Sequence, residues 1–391
     1  MKHKNSILRI FAVLLAACGG QGSGEGGTEG GGQGGENGSG DVANLDDGVT
    51  RICLLINGNL GDMSFFDSAN VGMLKFAEDH PEAEVNIVEM GTDTTKWEPT
   101  LRQTANEAYD LIIVGTTDMR EPLQRLVRNK KYDDRRVIIF DTEIEDNAAA
   151  DYPTVHSMLF KQNEGGYLAG VLAALMTVDA GAERTGFIGG MKIDIINDFG
   201  YGFMQGVQRA NSETGGNILA YNSYIGDFTN SPKGKSLADT MYQEGVPILF
   251  AAASQAGLGC LDSAKNNDKL VIGVDSDQYE YFAGIDPEKA EKIVTSVLKR
   301  VDLALYEACE AFMAGTLTYG DLAYMGVKEG KIGLADNENY QKLVPQEHRD
   351  FISQIESDII SGALVVESGL KQYTPLEDLN ALYDLLDPTK Q

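Results

Sequence analysis

From Arg51 onward, short apolar runs alternate with helix-patterned stretches, in two successive series. In the first, runs at residues 51–56, 84–89, 110–115, 136–140 and 154–158 read as strands, with helical patterns at 66–78, 95–108 and 121–127. In the second, strands are expected at 185–189, 218–224, 248–252, 270–275 and 292–297, with helices at 198–210, 233–244 and 257–265. Strands that are apolar throughout are buried on both faces, and strand–helix alternation buries them in parallel sheets covered by helices. Two such series predict an α/β chain of two doubly wound parallel-sheet lobes with a cleft between them. A helix over 296–314, with Val297, Val301, Leu305, Ala308 and Phe312 in its apolar stripe, is expected to carry the chain back to the first lobe. Residues 49–157 and 294–328 should then form lobe 1, and 158–293 and 329–391 lobe 2. In the tail, Thr374-Pro375-Leu376-Glu377 has a capping-box pattern ahead of Leu379, Leu382, Leu385 and Leu386, which predicts a helix docked on a lobe.

The segment before Arg51 is of another kind. Lys2, Lys4 and Arg9 precede an apolar run far shorter than the roughly 20 residues that span a bilayer, so residues 1–17 read as a signal peptide. The run ends Leu15-Ala16-Ala17-Cys18, which resembles the bacterial lipobox; cleavage before Cys18 and acylation of Cys18 are expected. Residues 18–48 hold 14 glycines and little that could pack, so they read as a tether without a core of its own. Together these features predict a protein anchored by lipid to the extracytoplasmic face of the cell membrane.

A net charge of −27 argues against nucleic-acid binding, which needs clustered Lys and Arg. The four cysteines, Cys18, Cys53, Cys260 and Cys309, form no CxxC pair, and only four histidines are present. No zinc set can be assembled from them, and no metal or cofactor is expected. Cys53 and Cys260 sit in or beside apolar runs and read as buried thiols.

Open α/β sheets bind ligands beyond the carboxyl ends of their strands. After the first strand comes the loop Asn57-Gly58-Asn59-Leu60-Gly61-Asp62-Met63-Ser64-Phe65-Phe66-Asp67, which opens a helix but lacks the P-loop lysine and GxGxxG spacing. Other strands end at Thr116 and Thr117, Asp141 and Thr142, Ser254 and Gln255, and Asp275 with Asp277.

Several stretches in this setting resemble the basic membrane lipoprotein (PnrA-like) family. They are Gly61-Asp62-Met63-Ser64-Phe65-Phe66-Asp67, Glu164-Gly165-Gly166-Tyr167-Leu168-Ala169-Gly170, Gly186-Phe187-Ile188-Gly189-Gly190-Met191, Phe199-Gly200-Tyr201-Gly202-Phe203, Ile272-Gly273-Val274-Asp275-Ser276-Asp277-Gln278, and Val294-Thr295-Ser296-Val297-Leu298-Lys299-Arg300-Val301-Asp302. The resemblance implies a fold like the type I periplasmic binding proteins, an ABC permease as partner, and a nucleoside, purine first, as ligand. Carried over, it makes Asn57, Asp62, Ser64, Phe65, Phe66, Asp141, Phe228, Asp275 and Lys299 the ligand-binding set. Phe65 and Phe228 would sandwich the base, Asp141 and Asp275 would accept from ribose hydroxyls, and Lys299 would balance the carboxylates. The sequence departs from the family at Asn57, where the family has Asp, and at Phe66, where it has Asn. An amide both donates and accepts, so base preference is open to change there. A surface sensor or adhesin fits the leader and tether equally well. A nucleoside-processing enzyme fits poorly, because no GxSxG elbow, placed histidine base or metal cluster accompanies the acids, and no catalytic residue is assigned.

Overall fold

The computed structural model describes residues 47–144, 151–370 and 376–390. The leader, Cys18, the tether up to residue 46, and Thr374 with Pro375 lie outside the described residues.

Two six-stranded sheets organise the chain. In the first, β1 (Thr50–Ile56), β2 (Ala83–Glu89), β3 (Leu111–Gly115), β4 (Val137–Phe140) and β5 (Val155–Phe160) are joined by the distant strand β11 (Asp321–Met325). Their order is β11-β5-β4-β3-β1-β2, with every pairing parallel. The second contains β6 (Arg184–Gly189), β7 (Leu219–Tyr224), β8 (Ile248–Ala252), β9 (Leu270–Asp275), β10 (Ile293–Lys299) and β12 (Ile332–Leu334). Its order is β12-β10-β9-β8-β6-β7, parallel except for β12 against β10. The central strands β3, β4 and β8 are buried at every residue, as strands covered by helices on both faces must be.

The chain passes between the sheets three times, and the passages lie side by side. β5 leads into α4 (Gln162–Asp179), β10 into α10 (Val301–Met313), and β11 returns toward β12. Lys161 N–H donates to the Met325 carbonyl (2.9 Å), and Arg300 N–H to that of Lys331 (2.9 Å). The Glu164 carboxylate accepts from Val327 N–H at 2.7 Å. Adjacent strands of chain at a domain border are what a hinge requires. α10 crosses α1 (Phe65–Asp79) so closely that a Cβ at Gly72 would fall 2.3 Å from the Asp302 carbonyl oxygen; only glycine fits.

Three sequence expectations are corrected here. Residues 296–299, expected to start a helix, complete β10, so the segment 294–299 pairs in the second sheet rather than the first. The fully buried run Val294–Val297, β-branched at three of its four positions, favours a strand, and the helix begins only after Arg300, whose backbone is non-helical. Residues 158–160, expected in the second lobe, finish β5 in the first sheet. The sequence pattern also missed α4, whose buried residues include Tyr167, Leu168, Val171, Leu172 and Leu175 and whose faces are nearly all covered, leaving no polar stripe to mark its period.

The tail forms α13 (Leu376–Leu386), docked on α5 (Asp194–Thr214) and β7 with Leu379 and Leu386 buried. Tyr383 meets Tyr201 edge-on at 5.1 Å. Cys53, Cys260 and Cys309 are free and buried, and burial pushes each thiol up to about 12. Among the described residues no helix is long and apolar enough to cross a membrane.

Candidate functional site

Strained backbone marks the place where the two sheets face one another. Six described non-glycine residues have positive φ, and four of them sit at or just beyond strand ends: Thr116 (68°), Asp141 (61°), Ser254 (47°) and Asp275 (66°). Each such conformation costs on the order of 1 kcal/mol, and such strain tends to collect at functional sites. Thr116 and Asp141 follow β3 and β4 of the first sheet, while Ser254 follows β8 and Asp275 ends β9 in the second.

Charged groups cross between the sheets here. Lys299, the last residue of β10 and only 2% exposed, bonds the Asp141 carboxylate. Its ammonium lies 5.1 Å from the ring centre of Phe65, 5.2 Å from that of Phe160 and 5.7 Å from that of Phe199, a cation caged by three π-faces. Burial raises the Asp141 carboxyl, and the lysine opposes that shift. Asp275 is likewise buried, which pushes its carboxyl up to about 7; Lys299 and the Ser64 hydroxyl pull it down, while Asp62 and Asp141 push it up. The Ser64 hydroxyl, from the other lobe, donates to Asp275.

Aromatic rings flank these carboxylates. Phe65 packs against Phe140 at 5.7 Å and meets Phe66 edge-on at 5.2 Å. Phe66 is the more exposed of the pair, and its ring covers Gly58, where a Cβ would fall 2.4 Å from it. On the second lobe the partly exposed Phe228 lies over Gly190, with the same 2.4 Å clearance for an added Cβ. Its neighbour Asp227 is occupied locally, accepting from the Thr229 and Asn230 amides. Asn57 donates to the Thr116 hydroxyl (2.8 Å), and its buried carbonyl oxygen has no partner. A buried acceptor left open calls for a donor.

The remaining two expected residues are engaged with protein. Asp62 accepts from the amides of Ser64 (3.0 Å), Phe66 (3.0 Å) and Asp67 (3.1 Å) and from the Ser254 hydroxyl (2.9 Å). Ser64 is fully buried against Asp275. The structure therefore joins Ser64 with Asp275, Asp141 with Lys299, and Lys299 with Phe65 and Phe66 beyond it; Phe228 packs on the apolar core to which Phe65 belongs. Sequence reasoning missed Phe160 and Phe199 as the lysine's cage. The signal for Phe160 was its place at a strand end, the position Phe140 shares; Phe199 stands within α5 and offered none. No group of three or more His, Cys, Asp or Glu that could hold a metal occurs among the described residues.

The family model described as ABC transporter substrate-binding protein, PnrA-like, matches residues 49–365. The chain belongs to that family. PnrA-like proteins are solute-binding components of ABC transporters and not an enzyme family. Among relatives, basic membrane protein A of Borreliella afzelii is 28% identical over 342 residues, covering 85% of this chain and 95% of that protein. The CD4+ T-cell-stimulating antigen of Listeria monocytogenes is 29% identical over 300 residues, covering 72% and 78%. An ABC transporter solute-binding protein from Aeropyrum pernix superposes with a TM-score of 0.74 at 25% identity, covering 86% of this chain and 99% of its own. A solute-binding protein from Actinobacillus succinogenes with bound D-allose reaches 0.56 at 15% identity over 75% and 99%, a likeness of fold alone. The two-lobed α/β architecture expected from the sequence is that of these PnrA-like and periplasmic-binding neighbours.

Proposed function

We propose that this PnrA-like protein is the nucleoside receptor of an ABC importer, purine nucleosides first, held to the extracytoplasmic face of the membrane by lipid on Cys18. The observation that carries this reading is the pairing of rings with strand-end carboxylates. Phe65 with Phe66 offers one aromatic wall, Phe228 another, and Asp141, Asp275 and Lys299 lie between the sheets. A base against aromatic faces gains roughly 1–3 kcal/mol by stacking. Ribose hydroxyls donate to carboxylates in charge-assisted bonds that fix the sugar. The open carbonyl of Asn57 takes an N–H of the base edge, a role a neutral amide fills without adding a fourth buried carboxylate to three aspartates and one lysine. Rotation about the three passages opens and shuts the lobes over the solute, and the permease reads the shut form.

The test is mass spectrometry of small molecules released by denaturing the purified full chain. Recovery of a nucleoside at near-stoichiometric yield supports the reading. Recovery of a free sugar, an amino acid or another solute in its place refutes the nucleoside assignment.

A further inference from the structure

The loop that carries Asp62 and Ser64 is built as a mechanical part. Two carboxylates shape it from within. Asp67 accepts from the amides of Gly61 and Met63, both at 2.8 Å, and Asp62 accepts from those of Ser64, Phe66 and Asp67. Five backbone donors are thereby fixed by residues of the same loop, and Met63 is held at a φ of 51°. A loop ordered in advance loses little entropy when it docks.

What it docks on is the other lobe. Met63 belongs to the first lobe by sequence, yet its side chain packs against an apolar cluster of the second, the one that includes Ile188, Ile225, Ala253 and Phe282. The Met63 carbonyl accepts from the Gln278 amide at 3.2 Å, and the Ser64 carbonyl from the Ser276 hydroxyl at 3.1 Å. The Ser64 hydroxyl donates to Asp275, and Ser254 returns the arrangement by donating to Asp62 at 2.9 Å. Four hydrogen bonds and one apolar anchor thus join a single short loop to the opposite lobe.

The geometry points to residues 61–67 as a tongue clasped by the second lobe, with Met63, Ser64 and Ser254 as positioning residues that set how long the cleft stays shut. Asp62 and Ser64 then serve closure and not recognition of the solute, since their polar atoms are spent on protein. The inference rests on the closure reading but not on which solute is bound.

Stopped-flow dissociation of guanosine from the full chain tests it, with Ser64→Ala, Ser254→Ala and Met63→Ala. The expected result is dissociation about tenfold faster for each, from the loss of one hydrogen bond to a carboxylate or of the apolar contact of one half-buried side chain. Association and the preference for guanosine over 2′-deoxyguanosine stay unchanged, and Met63→Leu restores most of the slow dissociation. Unchanged dissociation, or a collapse of the ribose preference in Ser64→Ala, overturns the clasp. A second readout needs no nucleoside and so separates failure of the clasp from failure of the ligand assignment. In the Ser64→Ala, Ser254→Ala double variant, hydrogen exchange should quicken at residues 62–68 and 274–279 and stay as in wild type at β3 and β8. Exchange unaltered at both segments, or raised uniformly through the strands, overturns the proposal.

Discussion

Replacing Asp275 by Asn should stabilise the protein at alkaline pH while damaging its site. Asp275 is buried, and its carboxyl is pushed up to about 7 in the fold. An aspartate in the unfolded chain titrates near 3.9, so folding raises it by about three units, or about 4 kcal/mol at most. The sign follows from the raised value. Below the unfolded value both states carry the neutral acid and the fold bears no penalty. As pH climbs toward 7 the unfolded chain ionises first, and the folded state loses stability until its own carboxyl ionises. Asparagine is neutral throughout, and its carbonyl oxygen still accepts from the Ser64 hydroxyl. The raised carboxyls of Asp62, Asp141 and Asp198 are present in both proteins and cancel to first order in the comparison. Urea unfolding of both proteins across pH 4.5 to 8.5 reads the difference. By linkage the variant should lead by about 1 kcal/mol at pH 4.5, rising toward the 4 kcal/mol ceiling above pH 7. A difference that does not vary with pH, or a variant weaker than wild type at pH 8.5, refutes the reasoning.

Three further outcomes follow from the same geometry. Lys299→Met leaves Asp141 buried without its cation, which should cost about 3–5 kcal/mol at pH 7.5 and less at pH 5, where Asp141 can take a proton; equal losses at both pH values in urea titrations would contradict the pairing. Phe228→Ala, and Gly190→Ala by pushing a Cβ into that ring, should each weaken nucleoside binding by about 1–3 kcal/mol in calorimetry, and undiminished affinity in both would remove Phe228 from the site. Ellman's reagent should find Cys53, Cys260 and Cys309 silent in the native protein and reactive in guanidinium, because burial holds their thiols near 12; prompt native reaction at any of them would show that the fold opens there.

The parts of this fold that could be read from sequence are those whose burial leaves a pattern. Runs such as Leu270–Val274 and Val137–Phe140 are apolar at every position because helices cover both faces of their sheets. α4 was hidden for the opposite reason, since a helix buried on nearly all sides has no polar face to beat out its period. Only the end of β10 was read as the start of a helix, because Val297 and Val301 are spaced four apart, as on a helix, although they lie on either side of the passage at Arg300.

The site divides in the same way. Asp141 and Asp275 were legible because strand ends are where open sheets present groups to ligands, and both stand there in strained backbone. Lys299 could be named only through family resemblance, since nothing local distinguishes it from a solvated lysine; its burial depends on Phe65, Phe160 and Phe199, which come from three separate parts of the chain. Local sequence placed Asp62 and Ser64 beside the cleft but could not show which partner they meet. Their bonds to Ser254 and Asp275 span about 200 residues, a separation no local pattern records.

The central claim is that the cleft takes a nucleoside through rings and carboxylates together. Isothermal titration of the full chain, stripped of bound solute by unfolding and refolding, tests it most directly with guanosine, inosine, adenosine, uridine, free ribose and D-allose. The account predicts one-to-one binding of purine nucleosides, weaker binding of uridine through its smaller stacking face, and no heat from either sugar. Saturable binding of ribose or D-allose with none of any nucleoside would contradict it.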